Sequence, residues 1–366
     1  MSDKTVPTRR RGIRFFLAIS ALTVVVALGY LVWTRTNAPA QEDLRVSVPP
    51  FVDTAFTKVG LTKNAFGALS PHVKLVETNW ENQYEVLAGG VLDIAMSTVD
   101  EFVNKSRNLA AIGKPVVFIL PAWKFRGLGF YTTKGLRPFS EFSGPDAKNE
   151  FLAQLRGKKV VLADGSVFDQ ALRAFVKGTS IRIDDLEIVN ASLDSALNSL
   201  SDPSVGIVAV GSQQRFEAER RGFREAISPE ALGLDVITGF IVPEKLYRER
   251  RSDIIAFACG WYATAKLVTG DPRGAYDITN TYLVGRGANS LTFEEYSALR
   301  AYNVVPASPA EANGLFVTQS GAGYWRTVWD RSVAAMTEAG KTNQTPLDNQ
   351  GFVAPDVIAA AQASCL

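Results

Sequence analysis

The segment that most constrains the fold of this 366-residue chain is residues 157–178, whose sequence reads as one strand, one tight turn and one amphipathic helix. Residues 160–162 form a short run of apolar β-formers, which is typical of a strand buried inside a parallel sheet. An Asp-Gly pair at residues 164–165 interrupts the run, and Ser166 then stands at a helix N-cap with an acidic residue three positions later. Such a helix leaves backbone N–H groups at the carboxyl end of the strand, where open α/β sheets bind ligands.

Two further segments repeat this arrangement of strand, turn and helix. In residues 91–108 an apolar strand leads into Thr98, with Glu101 at capping-box spacing, and in residues 205–222 another apolar strand leads into a Gly-Ser turn that contains Ser212. Taken alone, each unit is well explained as an ordinary βα unit that binds nothing. Three strand ends that each carry a small polar turn can line one cleft, so together they favour a binding site.

The rest of the chain also alternates strands with helices, an order that predicts parallel sheets covered by helices in more than one lobe. We expect strands at residues 44–48, 73–77, 91–97, 115–120, 126–133, 160–163, 186–189, 205–210 and 234–242. Besides the helix that begins after Thr98, we expect helices at residues 51–61, 82–88, 166–176, 194–200, 213–221, 244–268, 293–302 and 323–339. Residues 139–154 read as a polar connection and residues 343–355 as loop.

The N-terminal part of the chain predicts a membrane segment. Residues 1–14 are polar and basic, and residues 15–33 are an uncharged apolar run whose helix would span about 28 Å, close to the hydrocarbon thickness of a bilayer. The positive-inside rule then puts the basic tail in the cytoplasm and everything beyond a linker at residues 34–43 outside. The alternative is a signal peptide cleaved after Ala40, but the apolar cores of signal peptides are shorter, about 7–15 residues, so we favour a retained anchor.

The charge balance argues against nucleic acid as a partner. The formal net charge of +2 comes from the basic N-terminus, because the chain beyond residue 40 holds 33 basic and 36 acidic residues. The folded part is therefore mildly acidic, with no basic face for a phosphate backbone. The single histidine, His72, excludes a histidine-rich zinc site and leaves little room for histidine acid–base catalysis. We therefore expect no catalytic residue, no metal and no cofactor.

The two cysteines, Cys259 and Cys365, lie far apart in the sequence. Cys259 falls on an apolar helix face, which is typical of a buried thiol rather than a metal ligand. In an oxidising compartment the two cysteines could instead form a disulfide, and the sequence leaves both alternatives open.

Six segments, taken in order, carry a resemblance to a known family. They are LRVSVPPFVDTAF, EVLAGGVLDIAMSTVDEF, RGLGFYTTKG, LRGKKVVLADGSVFDQAL, DDLEIVNAS and VGIVAVGSQQRF. The combination of Ala-Gly-Gly-x-Leu-Asp-Ile-Ala with a later Leu-x-Gly-Lys-Lys-Val and Gly-Ser resembles the type II periplasmic substrate-binding proteins of ABC importers, in the branch that handles nitrate, sulfonates, taurine and thiamine-pyrimidine precursors. The resemblance extends from about residue 44 to about residue 336.

This resemblance implies an α/β fold with two doubly wound parallel-sheet lobes joined by a hinge, preceded here by one N-terminal transmembrane helix. Lobe 1 would comprise residues 44–132 and 240–366, and lobe 2 residues 133–239. The hinge strands would be residues 126–133 and 234–242. A small molecule would bind between the lobes, which close around it.

Carried over by position, the family's ligand contacts fall on two sets of loops in this chain. The predicted ligand-binding residues are Pro50, Phe51, Asp53, Ser97 and Thr98 from lobe 1, and Gly165, Ser166, Val167, Ser212 and Gln213 from lobe 2. The alternative for Asp53, Thr98 and Ser166 is that they only cap helices, which is the commoner role of such residues.

The chain also departs from the family pattern in ways that leave the ligand class open. Many relatives have a Trp-Glu type of pair after the strand at residues 205–210, where this chain has Gly-Ser-Gln. Near the first hinge, Trp123 and Phe125 could supply an aromatic wall and Lys124 and Arg126 a cation, although a role of the aromatic residues in the hinge core is equally consistent with the sequence.

The resemblance implies a solute-binding protein, without enzymatic activity, that captures a small polar solute and delivers it to an ABC transporter permease. An anion is among the candidate solutes, and a neutral or zwitterionic solute stays open. With the predicted anchor, the protein would be a single-pass protein of the inner membrane whose folded part lies in the periplasm. The alternative is a ligand-less binding fold that serves as an interaction or scaffold subunit of a membrane complex.

Overall fold

The computed structural model describes residues 42–133, 135–338 and 351–365. The predicted basic tail at residues 1–14, the predicted anchor at residues 15–33 and nearly all of the predicted linker lie outside the described residues. Within the part of the chain that the structure describes, no helix combines the length and the apolar character needed to cross a membrane.

The strands of the described chain form three hydrogen-bonded groups, and the smallest of them, a parallel pair, joins a four-stranded group through one bridge, so that we describe two sheets. In chain order they are β1 (Leu44–Val48), β2 (Val73–Glu77), β3 (Ala95–Thr98), β4 (Val116–Phe125), β5 (Gly129–Thr132), β6 (Lys159–Leu162), β7 (Glu187–Asn190), β8 (Val205–Val210), β9 (Arg224–Ile227), β10 (Val236–Pro243) and β11 (Asn303–Val304). The bounds of β1, β2 and β8 coincide with those expected from the sequence.

The helices lie between and around these strands. In chain order they are α1 (Phe56–Thr62), α2 (Gln83–Ala88), α3 (Val99–Ala111), α4 (Ala147–Ala153), α5 (Val167–Val176), α6 (Leu193–Ser199), α7 (Gln214–Arg220), α8 (Pro229–Leu232), α9 (Glu244–Glu249), α10 (Arg251–Gly270), α11 (Pro272–Val284), α12 (Phe293–Ala301), α13 (Pro309–Ala312), α14 (Trp325–Glu338) and α15 (Ala354–Ser364). Short 3-10 helices lie at Gly67–His72, Phe139–Glu141 and Ile183–Asp185, and a π-helix at Asn313–Val317.

The first sheet is built from both ends of the described chain. The parallel pair β1 and β2 joins it through a parallel bridge between Val46 and Ile94, just before β3. From there the strand order is β3, β10, β4 and β11. The second sheet is built from the middle of the chain, in the order β7, β6, β8, β5 and β9.

The strand directions correct the prediction of purely parallel sheets. In the first sheet β10 runs antiparallel to both of its neighbours, β3 and β4. In the second sheet β5 runs antiparallel to β8 and β9. Both β5 and β10 follow a crossing of the chain from one sheet to the other, so each enters its sheet against the direction of the βα units. A buried strand has the same apolar run in either direction, so the sequence pattern cannot report this difference.

Several predicted elements also differ from the observed ones. The strand expected at residues 91–97 is paired only from Ala95, since Val91 is 52% exposed. The helix expected at residues 244–268 is divided at Arg250 into α9 and α10, and the helix expected at residues 51–61 begins at Phe56 after a turn. The sequence patterns do not predict the elements β9, β11, α4, α8 and α15.

Strands β4 and β10 form the centre of the apolar core around the first sheet, which we call the first core. The indole of Trp123 on β4 packs against Trp261 of α10 with 5.6 Å between ring centroids. Phe240 on β10 meets the indole of Trp261 edge-on, with 5.0 Å between centroids. Gly239 allows the two strands to approach, because a Cβ at this position would lie 2.1 Å from the carbonyl oxygen of Leu120. The glycine in the middle of the predicted strand therefore has a packing role.

The two cysteines form a disulfide, which resolves the alternative that the sequence leaves open. Cys259 lies on α10 and Cys365 directly follows α15, with their Cα atoms 5.3 Å apart. The bond ties the C-terminal helix to the longest helix of the first core. Ala354, Val357 and Ile358 of α15 are fully buried there.

Replacement of Cys365 by serine should lower the free energy of unfolding by about 2–4 kcal/mol, because a cross-link over 106 residues restricts the unfolded chain. Urea denaturation under oxidising conditions measures the loss. Dithiothreitol should destabilise the wild type by a similar amount and leave the Cys365→Ser variant unchanged. Equal stability of the wild type with and without reductant would contradict this role of the disulfide.

Candidate functional site

A cavity of about 270 Å³ lies between the first and second sheets. It is small for a ligand pocket, since drug-sized ligands occupy pockets of about 300–1,000 Å³. Loops at the ends of strands from both sheets form its walls, together with side chains of β4 and β10. Its lining residues are Phe51, Asp53, Trp80, Glu81, Thr98, Glu101, Lys105, Trp123, Phe125, Leu128, Ala163, Asp164, Ser166, Val167, Phe168, Asn190, Leu193, Gly211, Ser212, Val236 and Thr238.

Six of the ten predicted ligand-binding residues line this cavity. They come from four loops that are separate in the sequence, which the fold brings to one place: Phe51, Asp53, Thr98, Ser166, Val167 and Ser212. This convergence is what the repeated strand, turn and helix units predict. Ligand binding by these side chains stays a prediction.

The other four predicted residues lie outside the cavity lining. Ser97 is fully buried in β3, where its hydroxyl is 2.6 Å from the hydroxyl of Tyr84. Pro50 and Gln213 line a different, more polar cavity, and Gly165 lies at the start of α5 beside that helix's first turn.

Three hydrogen bonds join loops of the first sheet to loops of the second sheet. The side-chain amide of Gln213 donates to the carbonyl oxygen of Pro50. On the other side, Nδ2 of Asn104 donates to the carbonyl oxygen of Gly165 at 3.1 Å. A third bond runs from the backbone N–H of Leu193 to Glu81 at 2.9 Å. These bonds link loops of the first sheet to loops of the second near the cavity.

Aromatic rings dominate the apolar part of the lining. Phe51 and Trp80 meet edge to face with 6.2 Å between centroids, and Phe168 lines the cavity from α5. Trp123 and Phe125 also line it, while Trp123 packs on Trp261 in the core, so these positions are compatible with both alternatives that the sequence leaves open.

The cation expected beside that aromatic wall points elsewhere. Lys124 and Arg126 both pair with Asp235, with the lysine Nζ 3.2 Å from the carboxylate. Although partial burial raises the pKa of Asp235, hydrogen bonds from Arg126 and Lys124 hold it below its ordinary value. This cluster ties the two crossings of the chain to each other and leaves neither cation in the cavity lining.

Asp53 is a buried acid in the turn after β1, with 8% of its surface exposed. Its Oδ1 accepts the backbone N–H of Thr54 at 3.0 Å, and no basic side chain in the described chain forms an ion pair with it. Burial raises the pKa of Asp53 from 3.8 to about 6, against the lowering effect of backbone N–H groups and of Trp123. The indole N–H of Trp123 forms no well-aligned hydrogen bond within the described residues.

Glu101 is the second buried acid of the lining. The indole N–H of Trp80 donates to both of its carboxylate oxygens, at 2.9 and 3.1 Å. Burial raises the pKa of Glu101, and the charge of Lys105 one helical turn later opposes that rise. Glu101 therefore has a nearby cation, whereas Asp53 has hydrogen-bond donors but no basic side chain paired with it in the described chain.

The N-termini of the two helices that begin at the cavity are capped by side chains of the same segments. Thr98 and Glu101 form the predicted capping box at the start of α3. At the start of α5, the hydroxyl of Ser166 accepts the backbone N–H of Phe168 at 3.2 Å, and Asp169 accepts the backbone N–H of the preceding turn. Thr98 and Ser166 thus do cap helices, and they line the cavity as well.

Sequence reasoning missed several lining residues. Trp80 follows β2, so its position at a strand end was a usable signal, and Lys105 lies four residues after Glu101 on the same face of α3. Asn190 ends β7, so its position at a strand end was also a usable signal, whereas Thr238 lies inside β10 and the local sequence gives no signal for it. Among the described residues, no group of three or more His, Cys, Asp or Glu side chains could hold a metal ion.

Comparison with known proteins identifies the fold. No protein-family model and no curated protein sequence matches the chain. A ligand-binding component of an ABC-type import system from Staphylococcus aureus, solved with zinc bound, matches with a TM-score of 0.63 and 14% identity over 88% of this chain and 99% of that chain. The periplasmic nitrate-binding protein NrtA from Synechocystis matches with a TM-score of 0.63 and 14% identity over 90% of each chain.

A third solved structure extends the comparison to sulfonate binding. The periplasmic aliphatic sulphonate-binding protein SsuA from Escherichia coli matches with a TM-score of 0.60 and 11% identity, covering 85% of this chain and 92% of that chain. The chain therefore has the periplasmic-binding-protein fold, with mixed rather than parallel sheets. The resemblance to this class of proteins in the sequence is confirmed at the level of the fold.

Replacement of Asp53 by asparagine should raise the free energy of unfolding of the ligand-free protein by about 2–3 kcal/mol at about pH 8. The folded protein keeps a proton on Asp53 up to about pH 6, whereas the unfolded chain loses it near pH 3.8, so wild-type stability falls as the pH rises between these values. Asparagine has no charge to bury, and its advantage should disappear below pH 3.8.

Urea denaturation at a series of pH values measures this difference. The matched control is Asp277→Asn, since Asp277 lies exposed on α11 and its replacement should leave the pH profile unchanged. A wild-type profile that the Asp53→Asn variant reproduces at every pH would contradict the burial of a charge at this position.

Proposed function

We propose that this chain is a membrane-anchored solute-binding protein that captures a small polar solute between two lobes and delivers it to the permease of an ABC importer. It would act by binding alone, without catalysing a reaction. The observation that carries the proposal is the cavity between the two sheets, lined by loops that follow strands in both of them. In α/β folds this edge is where ligands bind.

The two sheets support a division of the chain into two lobes. In the proposal, lobe 1 comprises residues 44–132 and 240–366 and lobe 2 residues 133–239. The sheets favour a small change in these lobe boundaries, because β5 belongs to the second sheet and all of β10 belongs to the first. The crossings would then lie near residues 126–128 and 233–235, where the chain could bend as the lobes open and close.

Two observations support a location outside the cytoplasm. The disulfide between Cys259 and Cys365 is typical of oxidising compartments such as the bacterial periplasm. The apolar run at residues 15–33, preceded by a basic tail, favours a single-pass anchor in the inner membrane with the folded part on the periplasmic side. In the proposal the anchor keeps the binding protein beside its permease.

The partners proposed for this chain follow the proteins that share its fold. The similar proteins from Staphylococcus aureus, Synechocystis and Escherichia coli are described as an ABC import component, a nitrate-binding protein and a sulphonate-binding protein. At identities of 11–14% their ligands do not transfer to this chain, so the proposal names only a small solute and an ABC permease.

Native mass spectrometry of the full-length protein, purified without denaturation, tests the proposed function. The result expected is an adduct of one small molecule per chain that is released on unfolding and binds again when added back. The absence of any adduct, together with stable capture of a membrane complex other than a permease, would favour the ligand-less scaffold instead.

The hydrogen bonds that join the sheets should contribute to affinity. The double variant Asn104→Ala with Gln213→Ala removes two of them, and we expect its affinity for the released solute to fall by about tenfold, since each bond contributes about 0.5–1.5 kcal/mol. Small-angle X-ray scattering should also give a larger radius of gyration for the ligand-free variant, because its lobes open more readily.

The matched control for the double variant is Asn149→Ala. Asn149 bonds Ser180 inside the region of the second sheet and reaches neither the cavity nor the first sheet. This control should keep wild-type affinity and dimensions. Identical affinity in the double variant and the control would contradict a role of the joining bonds in closure.

A further inference from the structure

We propose that the cavity binds a small organic cation, an ammonium group carried on an apolar body, and that Asp53 is its counterion. The inference rests on the proposed solute-binding role of the same cavity and names the chemical class of its solute. It is carried by the charges, the unpartnered polar groups and the aromatic rings of the lining.

The charged side chains of the lining are predominantly acidic. They are Asp53, Glu81, Glu101 and Asp164, with Lys105 as the one basic residue among the lining residues. Lys105 lies next to Glu101 on α3 and its charge acts on that carboxylate. Of the other lining acids, Asp53 is buried and forms no ion pair in the described chain, so its carboxylate attracts a cation and repels an anion.

Asp53 lacks the counterion that a buried carboxylate requires. Only 8% of its surface is exposed, and in the described chain it pairs with no arginine, lysine or histidine. A buried charge without a partner is costly, so a bound ammonium would restore the missing interaction. The nearby indole N–H of the fully buried Trp123 lowers the pKa of Asp53 but forms no well-aligned hydrogen bond within the described residues, so it does not replace the missing cation.

The aromatic rings suit the apolar body and the charge of such a solute. Five rings line the cavity: Phe51, Trp80, Trp123, Phe125 and Phe168. The face of an aromatic ring attracts a cation within about 6 Å of its centroid, most strongly for tryptophan. Rings combined with a carboxylate therefore recognise an ammonium group by two independent interactions.

The groups that would hold an anion are already engaged within the protein. The N-terminus of α3 is capped by Thr98 and Glu101, and that of α5 by Ser166 and Asp169. The carboxylates of Glu101 and Asp169 accept backbone N–H groups that a phosphate, sulfonate or nitrate would otherwise bind at a helix N-terminus. The two cations near the first hinge are paired with a carboxylate outside the lining.

Cation binding should weaken in acid as Asp53 gains a proton. Burial raises the pKa of Asp53 to about 6, and Glu81, Glu101, Lys105 and Asp164 also face the cavity. A cation stabilises the ionised form of Asp53, so binding at about pH 5 should be about tenfold weaker than at about pH 7.5.

Isothermal titration calorimetry on the full-length chain tests the inference with matched probes. The cations are choline and phenethylammonium, the uncharged isostere of choline is dimethylbutanol, and the anions are ethanesulfonate and nitrate. At about pH 7.5 we expect at least one cation to bind about tenfold or more tightly than the uncharged isostere and both anions. The Asp53→Asn variant should lose this preference, and the exposed Asp277→Asn control should keep it.

The outcomes separate this inference from the proposed function. Tighter binding of an anion or of the uncharged isostere would overturn the inference and leave the solute-binding function intact. Unchanged cation affinity in Asp53→Asn would overturn the role of Asp53. If no probe of any charge binds and the purified protein carries no small molecule, both the inference and the proposed function fail.

Discussion

The antiparallel pairing of β4 with β10 is the interaction on which the cavity depends. One of these strands precedes the first crossing of the chain and the other follows the second, so their pairing brings both crossings together. Each strand also contributes wall residues, Trp123 and Phe125 from β4 and Val236 and Thr238 from β10. Gly239 permits the close approach of the strands. The same pair therefore brings the two crossings together and contributes to the wall of the cavity between the sheets.

The burial of an acidic side chain in the wall of the cavity lowers the stability of the ligand-free protein. A carboxylate at Asp53 is buried without a basic partner in the described chain, and the indole N–H of Trp123 near it forms no well-aligned hydrogen bond. Asp100, another buried acid, differs in that one of its carboxylate oxygens accepts hydrogen bonds from Arg331 and Ser332. The solute proposed for the cavity would supply the basic partner that Asp53 lacks.

The sequence predicts the elements of this fold better than their directions. The bounds of β1, β2 and β8 follow from apolar runs, and the caps at Thr98 and Ser166 follow from local spacing. The antiparallel β5 and β10, which make both sheets mixed, have no counterpart in a local pattern. For the site, the ends of strands correctly locate six of the lining residues. Ser97 shows the limit of this reasoning, because it is adjacent to Thr98 in the sequence but its side chain points into the core and contacts Tyr84. The preference for a cation depends on which charges lack partners, and only the structure reports that.

The most direct test of the central claim is a crystal structure of the protein purified without denaturation, refined to a resolution at which a small solute can be recognised. The account predicts electron density for one small molecule between the two sheets, with a nitrogen within hydrogen-bond distance of Asp53 and an apolar part against Trp123. A cavity that holds only ordered water, or one filled by side chains of the protein itself, would contradict it.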